Sequence, residues 1–347
     1  MNVPRGLPAL LALACALALS GCGDQQGSPN VPTVPPATPA AAPAQDAAED
    51  LDIVPLASAV HGIEWDPATG ATILLAEQAV LITRELATAP TDAPPPGLEQ
   101  IDLPASPTAL ALDGAGTAYV TAGPAVLAID LNDPRPREIA RLEGGADLVS
   151  ITLVADDVLA AGTSDGAIHV LDPASEGISL EEPRITGLVG TDVLVSVGGS
   201  IAALDRRQSK ITEVLLARDT VGFALRAGNG ASTMVADPRG RVLVANTRDG
   251  ELLVYSLDRL ILRQRYPVPD SPHGIAYDAQ EDLAWVTQTG RNEIAAYTLD
   301  TGIPVEVARY ATVRQPDSVT IDSDNGFVYI ASATGDGIQR IRASDAR

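Results

Sequence analysis

From residue 60 onward the chain repeats itself about every 43 residues, and no other feature limits its fold so tightly. The clearest copy reads Pro-His-Gly-Ile-Ala-Tyr-Asp at 272–278, then β-rich runs at 283–289, 293–300 and 305–310. Flanking copies share the pattern at 232–237 and 316–322, and looser ones begin near residues 60, 107, 149 and 193. The aspartates Asp66, Asp113, Asp237, Asp278 and Asp322 close the first run of their units. Asp165-Gly166 and Asp249-Gly250 fall between second and third runs, where a hairpin is needed. Runs such as Val-Leu-Val-Ala at 242–245 are apolar on both faces, as strands sandwiched between neighbouring sheets must be.

Four short strands per unit and seven units predict an all-β, seven-bladed β-propeller over residues 51–347. The last unit has only three strands, and one orphan run precedes the first unit at 51–57. Pairing that N-terminal strand with the last blade would close the ring and remove an open edge. The closing aspartates are expected to accept hydrogen bonds from turn amides. Trp65 and Trp285 are expected to pack between blades, and His169 to sit at the surface.

The N-terminus reads as an address. Arg5 precedes an apolar run at 7–19, too short to span a bilayer but suited to a signal peptide. The run ends in Leu-Ser-Gly-Cys at 19–22, which resembles the lipobox of bacterial lipoproteins at all four positions. The resemblance implies removal of residues 1–21, diacylation of Cys22, and anchoring to the extracytoplasmic face of the cell membrane; two acyl chains anchor stably where one does not. Residues 22–50 are rich in Pro, Ala, Gly and Gln and cannot bury enough apolar surface of their own to order. They are expected to form an unstructured tether.

The strong repeat units resemble YVTN-type propeller repeats. Residues 226–341, with Met-Val-Ala-Asp-Pro-Arg-Gly at 234–240 and Leu-Ile-Leu-Arg-Gln-Arg-Tyr at 260–266, look most like the mycobacterial LppL-type lipoproteins. That resemblance implies a surface-anchored propeller and supplies no catalytic residues.

Charge narrows the partners. The chain carries 45 Asp+Glu against 23 Lys+Arg, a net charge of -22, so nucleic acid is excluded as a natural partner and membrane contact is left to the lipid. With Cys15 removed and Cys22 lipidated, the mature domain would hold no free thiol, disulfide or thiolate metal site. There is no Gly-x-Ser-x-Gly elbow, phosphate loop, His-Glu-x-x-His or dinucleotide fingerprint.

Aligning the units places one residue per blade at the start of its innermost strand: His61, Thr108, Val149, Thr186, Ser232, His273 and Asp317. In a closed ring, blades six, seven and one are consecutive, so His273, Asp317 and His61 are expected around one channel mouth. Two imidazoles and a carboxylate suit a divalent metal. Equally, a histidine at this repeat position can tie one blade to the backbone of the next. Three functions follow. The first is a binding or scaffolding module for an envelope protein or ligand, with no cofactor. The second is a metal-dependent, lactonase-like hydrolase using His61, His273 and Asp317. The third is a quinone-dependent dehydrogenase, which would need basic and aromatic residues that the channel positions lack.

Overall fold

The computed structural model describes residues 1, 32–44, 51–154 and 158–346. The apolar run at 7–19 and Cys22 lie outside the described residues. From residue 33 the chain forms one compact body of seven sheets. Blade 1 comprises Gly62–Trp65, Thr72–Leu75, Ala79–Thr83 and Glu99–Asp102. Blade 2 begins with Pro107–Leu112, Thr117–Ala122, Ala125–Asp130 and Pro136–Leu142. Blades 4, 5 and 6 follow the same antiparallel four-strand plan, with innermost strands Val193–Val197, Ala231–Ala236 and Pro272–Asp278. Blade 7 holds Pro316–Asp322, Phe327–Ser332 and Ile338–Arg342. Each innermost strand neighbours that of the blade before and after, and blade 7 returns to blade 1.

The N-terminal strand closes the ring as the repeats predict. Ile53–Val54 pairs antiparallel with blade 7, Ile53 opposite Gln339 and Val54 opposite Ile338. Gly337 lies so close to this strand that a Cβ there would sit 2.6 Å from the Val54 carbonyl oxygen. Its φ of +103° is one that glycine adopts without strain.

The core consists of seven apolar clusters, one at each blade–blade interface. That arrangement explains why second strands such as Arg241–Asn246 are buried on both faces. Trp285 is completely buried between blades 6 and 7 and stacks on Tyr310, while Trp65 packs between blades 7 and 1. The repeat aspartates cap turns. Asp66 accepts from the Thr69 amide at 2.9 Å, Asp113 from Ala115 and Thr117, Asp237 from Arg239 and Arg241, Asp278 from Gln280 and Glu281, and Asp322 from Asn325. Both Asp-Gly pairs sit in hairpin turns, with Gly166 and Gly250 at positive φ.

Three features depart from the sequence reading. Blade 3 has three strands, Leu148–Val154, Val158–Thr163 and Ile168–Leu171. The next strand, Ile178–Leu180, pairs in parallel with Pro136–Leu142 of blade 2 instead, and blade 3's fourth position shrinks to one bridge between Ile168 and Ile185. His169, expected at the surface, is 3% exposed where the chain doubles back over this edge, and burial lowers its pKa.

The third departure is the tether. Residues 33–43 lie along the propeller and belong to its compact body. Their own side chains bury little surface, as composition implies. Backbone hydrogen bonds to the blades hold them instead: the Val34 amide donates to the Arg207 carbonyl at 2.9 Å, and the Ala42 amide to Gln315 Oε1 at 2.8 Å.

Candidate functional site

The innermost strands all begin at one end of the channel, here the upper mouth. The loops joining successive blades and the hairpins joining second to third strands gather there too. Six of the seven aligned residues occupy the expected register. Thr108, Val149, Ser232 and Asp317 each fall in the one-residue irregularity that opens an inner strand, and His273 lies within a wider one. His61 immediately precedes Gly62–Trp65 at the same level. Thr186 does not: it is exposed and lies upstream of the fourth inner strand. The completely buried Thr191 takes the mouth position there. Blade 3's displaced outer strand lengthens the preceding connection, and this shifts the register that even spacing suggests.

These polar side chains fasten neighbouring blades. The His61 imidazole donates from Nε2 to the Pro107 carbonyl of blade 2 at 2.8 Å. Thr108 Oγ1 donates to Leu148 of blade 3 at 2.8 Å, and Ser150 to Thr191 of blade 4 at 2.5 Å. Thr191 donates back to Thr163 at 2.8 Å. Ser232 Oγ lies 3.2 Å from His273 Nδ1 and also bonds Thr247, whose hydroxyl donates to the Pro272 carbonyl at 2.6 Å. Asp317 instead accepts within its own blade, from Gln315 Nε2 at 2.8 Å. Such ties let buried polar groups keep partners where sheets converge.

Burial, and next the positive charge of Arg206, push the His273 pKa down to about 4, so its imidazole is neutral at physiological pH. Burial raises the Asp317 pKa, partly opposed by the Gln315 hydrogen bond. Neutral imidazole is the form that binds metal. However, His61 turns toward blade 2 and His273 toward blade 5. Among the described residues no three His, Cys, Asp or Glu side chains are arranged to hold a metal ion.

Below the mouth, a cavity of about 640 Å³ runs among the inner strands of blades 1 to 5, from Thr108 near the upper mouth to Pro67 and Gly114 near the lower. Its walls include Leu112, Ile151, Val195 and Met234. Glu64 stands in this wall. It has free surface, but that surface opens into the cavity. Loss of bulk hydration raises its pKa to about 7, slightly opposed by a long 3.5 Å hydrogen bond from Thr320. Sequence reasoning passed over this residue, although a signal was present. At the same repeat position stand Ala111, Val235, Ala276 and Thr320, so Glu64 is a lone charge where other blades have none.

Fold and channel together define a seven-bladed β-propeller. The chain resembles, over 85% of its length and 96% of theirs, a chain of Kuenenia stuttgartiensis hydrazine synthase (TM-score 0.65, 17% identity). It also resembles a chain of the mitotic checkpoint complex (TM-score 0.67, 12% identity, 88% of this chain and 99% of that one). The extracellular domain of a one-component system from B. thetaiotaomicron is similar at TM-score 0.67 and 12% identity, covering 85% of this chain and 42% of that one. At such identities the likeness is one of fold. No protein-family profile matches the chain, and no curated protein matches it in sequence.

Proposed function

We propose that this chain is a lipid-anchored, extracytoplasmic binding propeller of the YVTN kind, akin to the LppL-type lipoproteins. Its channel takes a small amphipathic ligand bearing one basic group. The observation that carries this reading is the cavity of about 640 Å³, lined by both polar and apolar groups, with Glu64 in its wall. That volume is in the usual range for small-molecule sites. Asp192 also borders the cavity but is engaged by the Arg206 amide at 2.8 Å, whereas among the described residues Glu64 has no cationic partner. A cationic guest would offset the desolvation that holds Glu64 near neutrality, and the walls would take its apolar body. The lipobox at 19–22 supports the anchor. The metal-hydrolase reading has weaker support, because both mouth imidazoles are occupied in tying blades.

Two experiments test the halves separately. Cys22→Ser should move the protein from the membrane to the soluble fraction; unchanged membrane retention would refute lipid anchoring. In thermal-shift screening, alkyl- and arylamines should raise the melting temperature of the wild type and not of Glu64→Gln, while neutral isosteres of the same amines do less. Equal shifts for amine and isostere, or none at all, would refute the channel assignment.

A further inference from the structure

Residues 33–43 trace an arc over the upper mouth, from blade 4 to blade 7. The Val34 amide donates to the Arg207 carbonyl at 2.9 Å. The Pro35 carbonyl accepts from Arg248 at 2.8 Å, and the Ala37 carbonyl from Arg206 at 2.9 Å. The Ala40 amide donates to Ser271 Oγ at 2.9 Å, and its carbonyl accepts from Gln315 at 3.2 Å. The Ala42 amide donates to Gln315 at 2.8 Å, and the Pro43 carbonyl accepts from Asn292 at 3.1 Å. Four of these blade residues offer arginine or amide donors to carbonyls. That suits a proline-rich strand, whose backbone has few N–H groups and leaves its carbonyls free in an extended conformation.

The groove also has a size filter. Ala37 is 3% exposed, and its Cβ lies against Gly230, where an added Cβ would come within 3.0 Å of it. In a chain of net charge -22, Arg206 and Arg248 have no carboxylate partner among the described residues and are turned onto strand carbonyls. The fit is incomplete. Arg206 Nε is buried without a hydrogen-bond partner. The resident strand therefore leaves a donor that a better-placed carbonyl would satisfy.

We propose that this arc is a recognition groove for an extended proline-rich peptide with a small residue at its centre. Residues 33–43 are its resident, displaceable occupant, and the partner is a proline-rich segment of another envelope protein that exchanges with them. The groove adjoins the mouth residues. Gln315 holds both Ala40 and Asp317, and Arg206 holds Ala37 while its charge acts on His273. This inference does not depend on a ligand in the channel.

The test uses the full mature chain and a fluorescent peptide of residues 31–44. Ala37→Trp cannot seat over Gly230 and expels the cis strand. A second variant replaces 33–43 with Gly and Ser at equal length. Both should bind the peptide in fluorescence polarisation. The wild type should bind at least about tenfold more weakly, because its own strand competes at an effective concentration on the order of millimolar. Adding Arg206→Ala and Arg248→Ala to the glycine–serine variant should weaken binding at least about tenfold. Absence of binding to the glycine–serine variant, equal binding to it and the wild type, or binding indifferent to both arginines would overturn the proposal. Binding of a proline-free alanine–serine peptide at the same strength would overturn the stated partner chemistry.

Discussion

The seam of the ring rests on one side chain. Arg340, on Ile338–Arg342, is 9% exposed. Its Nη1 donates to the carbonyls of Leu86, Ala87 and Ala89 of blade 1 at 3.0, 3.2 and 2.8 Å. Its Nε and Nη2 clasp Asp52, beside the closing strand, at 3.0 and 2.5 Å. One guanidinium thus joins blade 7, blade 1 and the N-terminal strand. Arg340→Met keeps the apolar stem and deletes the donors. Leu86 and Ala89 are 1% and 3% exposed, so water cannot readily replace what their carbonyls lose. At about 1 kcal/mol for each of the three hydrogen bonds lost, the loss is about 3 kcal/mol. The ion pair adds little, because Asp52 is 44% exposed and surface pairs contribute about 0.5 kcal/mol. Asp52→Ala should therefore cost less than about 1 kcal/mol. In a body of this size, that is a fall in melting temperature of about 6 °C for Arg340→Met against about 2 °C for Asp52→Ala. Denaturant unfolding followed by the fluorescence of Trp285, buried next to the seam, reads both. The reasoning fails if the two variants cost the same.

Two further outcomes are expected. Glu64 has a folded-state pKa of about 7 against an ordinary 4.5, so the folded chain holds this proton more tightly than the unfolded one. The contribution is intact below pH 4.5 and is lost as pH rises through 7. Water in the cavity screens it to about 1–2 kcal/mol between pH 4.5 and 8. Glu64→Gln should flatten that part of the stability–pH curve, and a wild-type curve superimposable on the variant's would sink the claim. Gly166 has a φ of +93°, and a Cβ there would sit 2.3 Å from the Leu188 carbonyl oxygen. Gly166→Ala should cost at least about 2 kcal/mol in denaturant unfolding, and a neutral result would show that the blade 3 turn yields.

The ring was legible in the sequence because each unit carries its own evidence. An apolar run, a capping aspartate and a turn recur with a fixed period, so errors in one copy are corrected by its neighbours. The closing strand was legible from arithmetic, since three strands at one end and an orphan at the other leave one solution. Blade 3 was not. Its Ile178–Leu180 strand has an ordinary strand composition, and nothing local distinguishes pairing with its own blade from pairing with Pro136–Leu142 next door. The strip at 33–43 was misread for a related reason. Composition correctly showed that it cannot order itself. Its partners come from Arg206, Arg248, Ser271, Asn292 and Gln315, which stand together only after the ring has closed. Among the mouth residues, register found His61, Thr108, Ser232, His273 and Asp317. It failed at Thr186, where a long connection broke the spacing.

The strip also decides where a mechanical load would fall. Tension on the chain upstream of residue 33 meets its series of hydrogen bonds, shared among four blades, before it reaches Ile53–Val54. That seam strand is only two residues long and would peel readily if pulled alone. The arrangement works as a cable clamp does ahead of a soldered joint: tugging is spent on contacts that can re-form, and the joint that keeps the circle shut stays slack.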